Sequence, residues 1–68
     1  MELIVNGEPR RIEARTVREL VKFELDADHD GRGIAVAVNG RVVPRASWDE
    51  AVIGGGDRVE IVRALPGG

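Results

Sequence analysis

Four stretches of this 68-residue chain hold residue types capable of chemistry. Asp26, Asp28 and Asp30 followed by Gly31 match the opening half of an EF-hand calcium loop, with acidic residues at positions one, three and five and glycine at six. The far half is missing. Position twelve, where that loop needs a bidentate glutamate, is Ala37, and position eight is Gly33, so the stretch reads as a solvated acidic connector whose side chains accept local amide bonds. His29 within it is the single histidine of a chain without cysteine, which leaves no set of ligands for a transition metal. Gly54, Gly55 and Gly56 lack the Lys-Ser/Thr pair of a phosphate loop and lead into a strand rather than a helix, so they read as a turn. Ser47 and His29 fall in loops on either side of a hairpin and make no credible nucleophile and base.

The fourth stretch is the Gly67-Gly68 end, and it is the informative one. Five extended residues, Ala64 to Gly68, reach roughly 16 Å beyond a last strand. Two glycines without Cβ atoms pass through a narrow channel and take φ values closed to other residues, so a carboxylate on Gly68 can be presented in a partner's active site. Ordinary fraying of a glycine end is the plain alternative.

The elements that must carry such an end are legible from pattern. Glu2 to Val5 is β-rich, and Asn6-Gly7 favours the two positive φ angles of a type I′ turn. The return strand runs from about Pro9 to Ala14 with Ile12 pointing inward, and Pro9, lacking an amide donor, belongs at a strand start or an edge. Thr16-Val17-Arg18-Glu19 forms a capping box, in which the Thr16 hydroxyl accepts from the Glu19 amide and the Glu19 carboxylate reaches back to the Thr16 amide. Val17, Leu20, Val21 and Leu25 then share one helical stripe with Phe23 at its margin. Ile34 to Val38, the Asn39-Gly40 turn and Arg41 to Val43 make a second hairpin, which Pro44 ends. The stretch through Trp48 to Val52 is an irregular connection with Ser47 as a cap for Asp49 and Glu50. Val59 to Val62 is the final strand.

The order is ββαββ, an α+β chain with a mixed sheet, one packed helix and a flexible C-terminal Gly-Gly tail. That order defines a ubiquitin-like β-grasp domain over residues 1–63 with a tail at 64–68, its first and last strands parallel neighbours at the sheet centre. The expected core is Met1, Leu3, Val5, Ile12, Val17, Leu20, Val21, Leu25, Val36, Val59 and Ile61. Alternation sends Ile4 and Val62 to the uncovered face, where with Leu65 they are expected to anchor a partner. Trp48 reads as a lid on the open end of the core, with a partner anchor as the alternative.

Composition sets the outer limits. At this length about 60% of the unfolded surface is buried, too little for a deep catalytic cleft. The absence of cysteine removes disulfides, thiolate nucleophiles and Cys-based metal sites. A net charge of −2 does not advertise a polyanion partner. Arg10, Arg11, Arg15 and Arg18 cluster but interleave with Glu8, Glu13 and Glu19, as on a solvated face. No apolar run is long enough to span a bilayer and no secretory pattern opens the chain, so a cytoplasmic setting is expected, without nucleic acid or membrane as partner.

Taken in order, Val5-Asn6-Gly7, Thr16-Val17, Ala37-Val38-Asn39-Gly40, Val43-Pro44-Arg45 with Trp48, Gly56-Asp57, Val59-Glu60-Ile61-Val62 and Gly67-Gly68 resemble the ThiS-type sulfur carriers of thiamine biosynthesis. The resemblance covers nearly the whole chain. It implies a substrate-like protein rather than an enzyme, with no cofactor of its own and Gly68 as its reacting residue. A ubiquitin-activating-type, ATP-dependent adenylyltransferase would join the Gly68 carboxylate to AMP. A cysteine desulfurase or other persulfide donor would supply sulfur to leave a thiocarboxylate, and thiazole synthase would take it. Gly67, Pro66, Leu65, Ile4 and Val62 would meet the partners. Pro66 before the glycine pair and the long acidic loop from Asp26 to Gly33 depart from the family's pattern. A carrier for another sulfur pathway, such as molybdopterin synthesis, and a non-catalytic β-grasp interaction module are the alternatives.

Overall fold

A computed structural model describes residues 1–25 and 33–63, so the expectations placed on the Asp26, Asp28 and Asp30 loop, on His29 and on the tail from Leu65 to Gly68 lie outside the described residues. The chain opens with β1 (Glu2–Val5) and β2 (Glu8–Arg11), joined by Asn6 at φ 50° and Gly7 at φ 83°. These are the two left-handed angles that an Asn-Gly dipeptide favours and that match the twist of a tight hairpin. The return strand is shorter than the expected Pro9 to Ala14, because its ladder stops where β1 starts, with Glu2 opposite Arg11. Ile12 still donates to the Met1 carbonyl at 2.9 Å and is buried.

Helix α1 (Val17–Glu24) begins as its sequence requires. The Thr16 hydroxyl accepts from the Glu19 amide at 3.2 Å. The Glu19 carboxylate, however, takes the Arg15 amide at 3.1 Å rather than that of Thr16, one residue outside the expected box. The other free amides of the first turn find acceptors in a distant segment, Val17 in the Ala51 carbonyl at 2.9 Å and Arg18 in the Trp48 carbonyl at 3.1 Å. A helix N-terminus leaves such donors unpaired, and here the connector between the second hairpin and the last strand supplies their partners. That explains why the connector is ordered. Leu25 closes the helix by donating to the Val21 carbonyl at 2.9 Å.

The second hairpin pairs β3 (Ile34–Val38) with β4 (Arg41–Val43) across Asn39 and Gly40, at φ 51° and 84°. A single 3-10 turn, Arg45–Ser47, follows, and its Ser47 carbonyl rather than its hydroxyl receives the amides of Glu50 and Ala51. Strand β5 (Arg58–Arg63) then completes a five-stranded sheet in the order β2-β1-β5-β3-β4, so the element order is ββαβββ, one strand more than ββαββ counts, because the last strand follows the second hairpin as a separate element. Strand β5 is parallel to β1 and antiparallel to β3, so the last strand is the central one. Pro9 sits on an edge strand, where a missing amide donor does least harm.

One sheet face and the helix enclose Leu3, Val5, Ile12, Val17, Leu20, Val21, Val36 and Val59. Met1, Leu25 and Ile61 pack against them while remaining partly exposed. Three core residues lay outside the expected list: Ala14, Trp48 and Ile53. Trp48 is wholly buried, its Nε1 donates to the Val43 carbonyl at 2.9 Å, and the Arg18 guanidinium lies 5.2 Å from its ring centroid. It closes the core as a lid and offers no surface to a partner.

Candidate functional site

The site expected from sequence has two parts, the chain end and the uncovered sheet face, and β5 belongs to both. Its start is fixed by local chemistry. Gly56 takes φ 86° and donates to the Glu2 carbonyl at 2.8 Å, and the Asp57 carboxylate accepts from the Gly54 amide at 2.8 Å. The glycine run is therefore a turn that sets β5 beside β1, with no helix N-terminus to receive a phosphate. Asp57 also accepts from Asn39 Nδ2 at 3.1 Å, which ties this turn to the second hairpin.

Along β5 the side chains alternate. Val59 and Ile61 face the helix, whereas Arg58, Glu60 and Val62 face away. Val62 is 59% exposed. Ile4, on the same face of β1, is half-buried and stands opposite Arg58. Val62 therefore lies four positions along β5 from the level of Ile4, about 13 Å, with the charged Arg58 beside Ile4 and the charged Glu60 midway. The two residues share a face but form no continuous patch. The apolar neighbours of Val62 come from the other side: Ala35 is directly opposite, and Ala37 pairs in turn with Val42, which is 76% exposed. Sequence reasoning missed these three because a hairpin of small and β-branched residues does not show which face will be covered; the signal was their register with Val62.

Arg63 ends β5, next to the segment 64–68. Beside this exit a depression of about 180 Å³ lies between the strand ends and α1, lined by Asn6, Leu25, Ile34, Ile61 and Arg63 among others. That is below the roughly 300 Å³ at which small-molecule sites begin. Among the described residues no group of three or more His, Cys, Asp or Glu is placed to hold a metal, and no helix is long and apolar enough to cross a membrane. Two of the clustered arginines face carboxylates: Arg10 Nη1 is 3.0 Å from Glu24 Oε1, and Arg18 Nε is 2.9 Å from Asp49 Oδ1.

Comparison with known proteins bears on what this arrangement serves. The chain is 37% identical over its full length to a region of a thiazole synthase from Paramagnetospirillum magneticum, and it spans about a fifth of that protein, 20% of its length. It is 29% identical to the sulfur carrier protein ThiS of Escherichia coli, with both chains covered completely. The crystal structure of a thiamine biosynthesis protein (ThiS) from Geobacter metallireducens superposes with a TM-score of 0.80 at 30% identity, again over the whole of both chains. A solution structure of a thiamine biosynthesis protein from the same organism gives 0.79, covering all of this chain and 88% of the other. The ThiS family profile matches residues 3–68, and the chain belongs to that family.

Proposed function

We propose that this protein is a sulfur carrier for thiazole formation in thiamine biosynthesis, with the carboxylate of Gly68 as its reacting group. The observation that carries the reading is the family match, which runs through the glycine pair to residue 68, together with full-length similarity to a protein named as a sulfur carrier. The central position of β5 supports it, since the strand preceding the tail is held on both sides by others.

The chemistry asks little of the carrier. A carboxylate is a poor acyl donor, so an oxygen of Gly68 attacks the α-phosphorus of ATP in an adenylyltransferase, pyrophosphate leaves, and the acyl adenylate forms. The terminal sulfur of a persulfide then attacks the carbonyl carbon and AMP departs. A thiol cleaves the resulting acyl disulfide, is itself oxidised into a disulfide, and leaves Gly68 as a thiocarboxylate. Tethered in this form, sulfur stays nucleophilic and confined, and the partner enzymes supply the acid, base and oxyanion groups. ATP and thiols place these steps in the cytoplasm. Thiazole synthase is the recipient that fits best, because the P. magneticum relative of that name carries a region like this chain within a longer polypeptide.

Partner docking falls on the uncovered sheet face and the tail: Val62 and Ile4 on the sheet, and Leu65, Pro66 and Gly67 leading to Gly68. Pro66 removes one amide from this segment and narrows the conformations it brings to a channel. The test is an intact mass after incubation with ATP, the adenylyltransferase and a persulfide donor. A gain equal to the exchange of one oxygen for sulfur is expected, and deletion of Gly68 is expected to abolish it while the circular dichroism spectrum stays unchanged. A full gain in the deleted protein, or an isopeptide-linked product in place of the thiocarboxylate, overturns the reading.

A further inference from the structure

Both Asn-Gly turns flank β5, and in both the asparagine does more than turn the chain. Asn6 donates its backbone N–H to the Val59 carbonyl at 2.9 Å, the last backbone rung between β1 and β5. In a parallel ladder the same residue would next accept from the Ile61 N–H through its own carbonyl, and the residue two positions on would donate to the Ile61 carbonyl. The left-handed angle at Asn6 turns the backbone away before either bond can form. Its side chain makes both. Asn6 Oδ1 accepts from the Ile61 N–H at 2.8 Å, and Asn6 Nδ2 donates to the Ile61 carbonyl at 3.2 Å.

On the other side of β5 the device recurs at the opposite end. Asn39 donates its backbone N–H to the Arg58 carbonyl at 2.7 Å, and the reciprocal bond goes from the Arg58 N–H to Asn39 Oδ1 at 3.0 Å. The Asn39 carboxamide stands in for a carbonyl that the turn has rotated away. One asparagine thus holds the first residue of β5, and the other holds it at Ile61, two residues before Arg63.

Building on the sulfur-carrier reading above, we propose that Asn6 is a positioning residue for the reacting end: its carboxamide replaces the missing next residues of β1, keeps Ile61 paired, and so fixes where the chain leaves the sheet toward Gly68. Without it, the β1 side of Ile61 has no protein partner and the strand can part from the sheet nearer its base, which changes the reach and direction of the segment presented to the adenylyltransferase. Asn39, at the far end of β5, has the same local chemistry but no bearing on the exit.

This contrast gives the test. Glycine takes the left-handed angle freely, so Asn6→Gly and Asn39→Gly each keep a competent turn while removing the carboxamide. Amide exchange by NMR is expected to accelerate roughly fivefold at Ile61 in Asn6→Gly but not in Asn39→Gly. In adenylation by the partner enzyme, kcat/KM is expected to fall about tenfold for Asn6→Gly, as for a small misplacement of a reacting group, and to change less than about twofold for Asn39→Gly. Asn6→Asp keeps the acceptor for the Ile61 N–H and is expected to recover part of the loss; it also serves as the probe if the glycine variant folds poorly. Equal kcat/KM in the two glycine variants, or no rescue by aspartate, overturns the positioning role while leaving the carrier reading intact. A wild-type protein that is never adenylated overturns the carrier reading and the positioning role with it, whereas the Ile61 exchange rate still reports whether the clamp exists.

Discussion

The two faces of one sheet are built from alternate residues of the same five strands, yet they end in opposite states. On the helix side Leu3, Val36 and Val59 are sealed by α1 and by Trp48 from the connector. On the other side Ile4, Ala35, Ala37, Val42 and Val62 stay half-buried or exposed, with no element of the described chain across them. Both sets include β-branched and small apolar residues, but the open face also carries the charged Arg58 and Glu60 of β5. The difference comes from what the chain places over them. A chain this short has one helix and one connector with which to cover a sheet, so it finishes one face and leaves the other open. Substitutions on the covered face should therefore act on stability, and substitutions on the open face should act on association.

The largest expected effect tests the covered face. Trp48→Ala removes the biggest buried side chain and its bond to the Val43 carbonyl, and uncovers the point where Arg18 and the first helical turn meet the connector. A loss of about 3–5 kcal/mol is expected, against a total stability of roughly 3–10 kcal/mol for a chain of this length. Urea denaturation followed by circular dichroism measures it. A loss under about 1 kcal/mol would falsify the assignment of Trp48 to the core.

The open face gives the next effect, and it should appear in a different measurement. Val62→Asp places a charge beside Ala35 on a surface already exposed to water, so stability should change by less than about 0.5 kcal/mol. Binding to the adenylyltransferase, measured by calorimetry, should weaken by more than about tenfold, because an apolar contact is replaced by a carboxylate that must shed its water. If Val62→Asp unfolds the protein instead, or binds as well as wild type, the two faces do not divide stability from association.

How much of this was legible in the sequence follows the same division. Features set by neighbours in the chain were readable: both Asn-Gly turns, the Thr16 cap, the stripe of Val17, Leu20 and Val21, and the edge position of Pro9. The parallel pairing of β1 with β5 followed from element order. The lid position of Trp48 was readable from the sequence, whereas the burial of Ile53 was not, because the connector has neither helical nor strand periodicity and its course depends on backbone groups 30 or more residues away. The two asparagine side chains were equally opaque. A dipeptide rule explains their backbone angles, whereas the bonds of Asn6 to Ile61 span 55 residues. At the site, alternation placed Ile4 and Val62 on one face, but only the register of β1 against β5 shows Arg58 beside Ile4 and Glu60 between that level and Val62.

A smaller effect sharpens the boundary of the covered face. Arg10 extends from β2 toward α1, where Glu24 is four-fifths buried and its Oε1 has no aligned hydrogen-bond donor besides this ion pair. Arg10→Ala removes the compensating charge and should cost about 1 kcal/mol, less than a deeply buried pair would because Arg10 itself remains 40% exposed. Adding Glu24→Gln to that variant should restore part of the loss, since a neutral amide tolerates the site better than an unpaired carboxylate. A double variant less stable than Arg10→Ala would show that Glu24 needs no partner there.

The smallest effect belongs to neither face. The Met1 ammonium donates to Glu13 Oε1 at 2.6 Å at the margin of the sheet, and that hydrogen bond, followed by the ammonium charge, lowers the Glu13 pKa. A carboxylate whose folded pKa lies below its unfolded value stabilises the fold above the unfolded pKa, and the contribution disappears as pH falls through the folded one. Glu13 is open to water, so the gain is small and screened by salt. Glu13→Gln should therefore melt slightly below wild type at neutral pH and low ionic strength, and the two melting curves should converge as the pH is taken down through and below the ordinary carboxylate range. A gap that persists in acid would mean that Glu13 supports β1 through its uncharged contacts. The pair would then belong to the packing of the covered face rather than to its solvated edge.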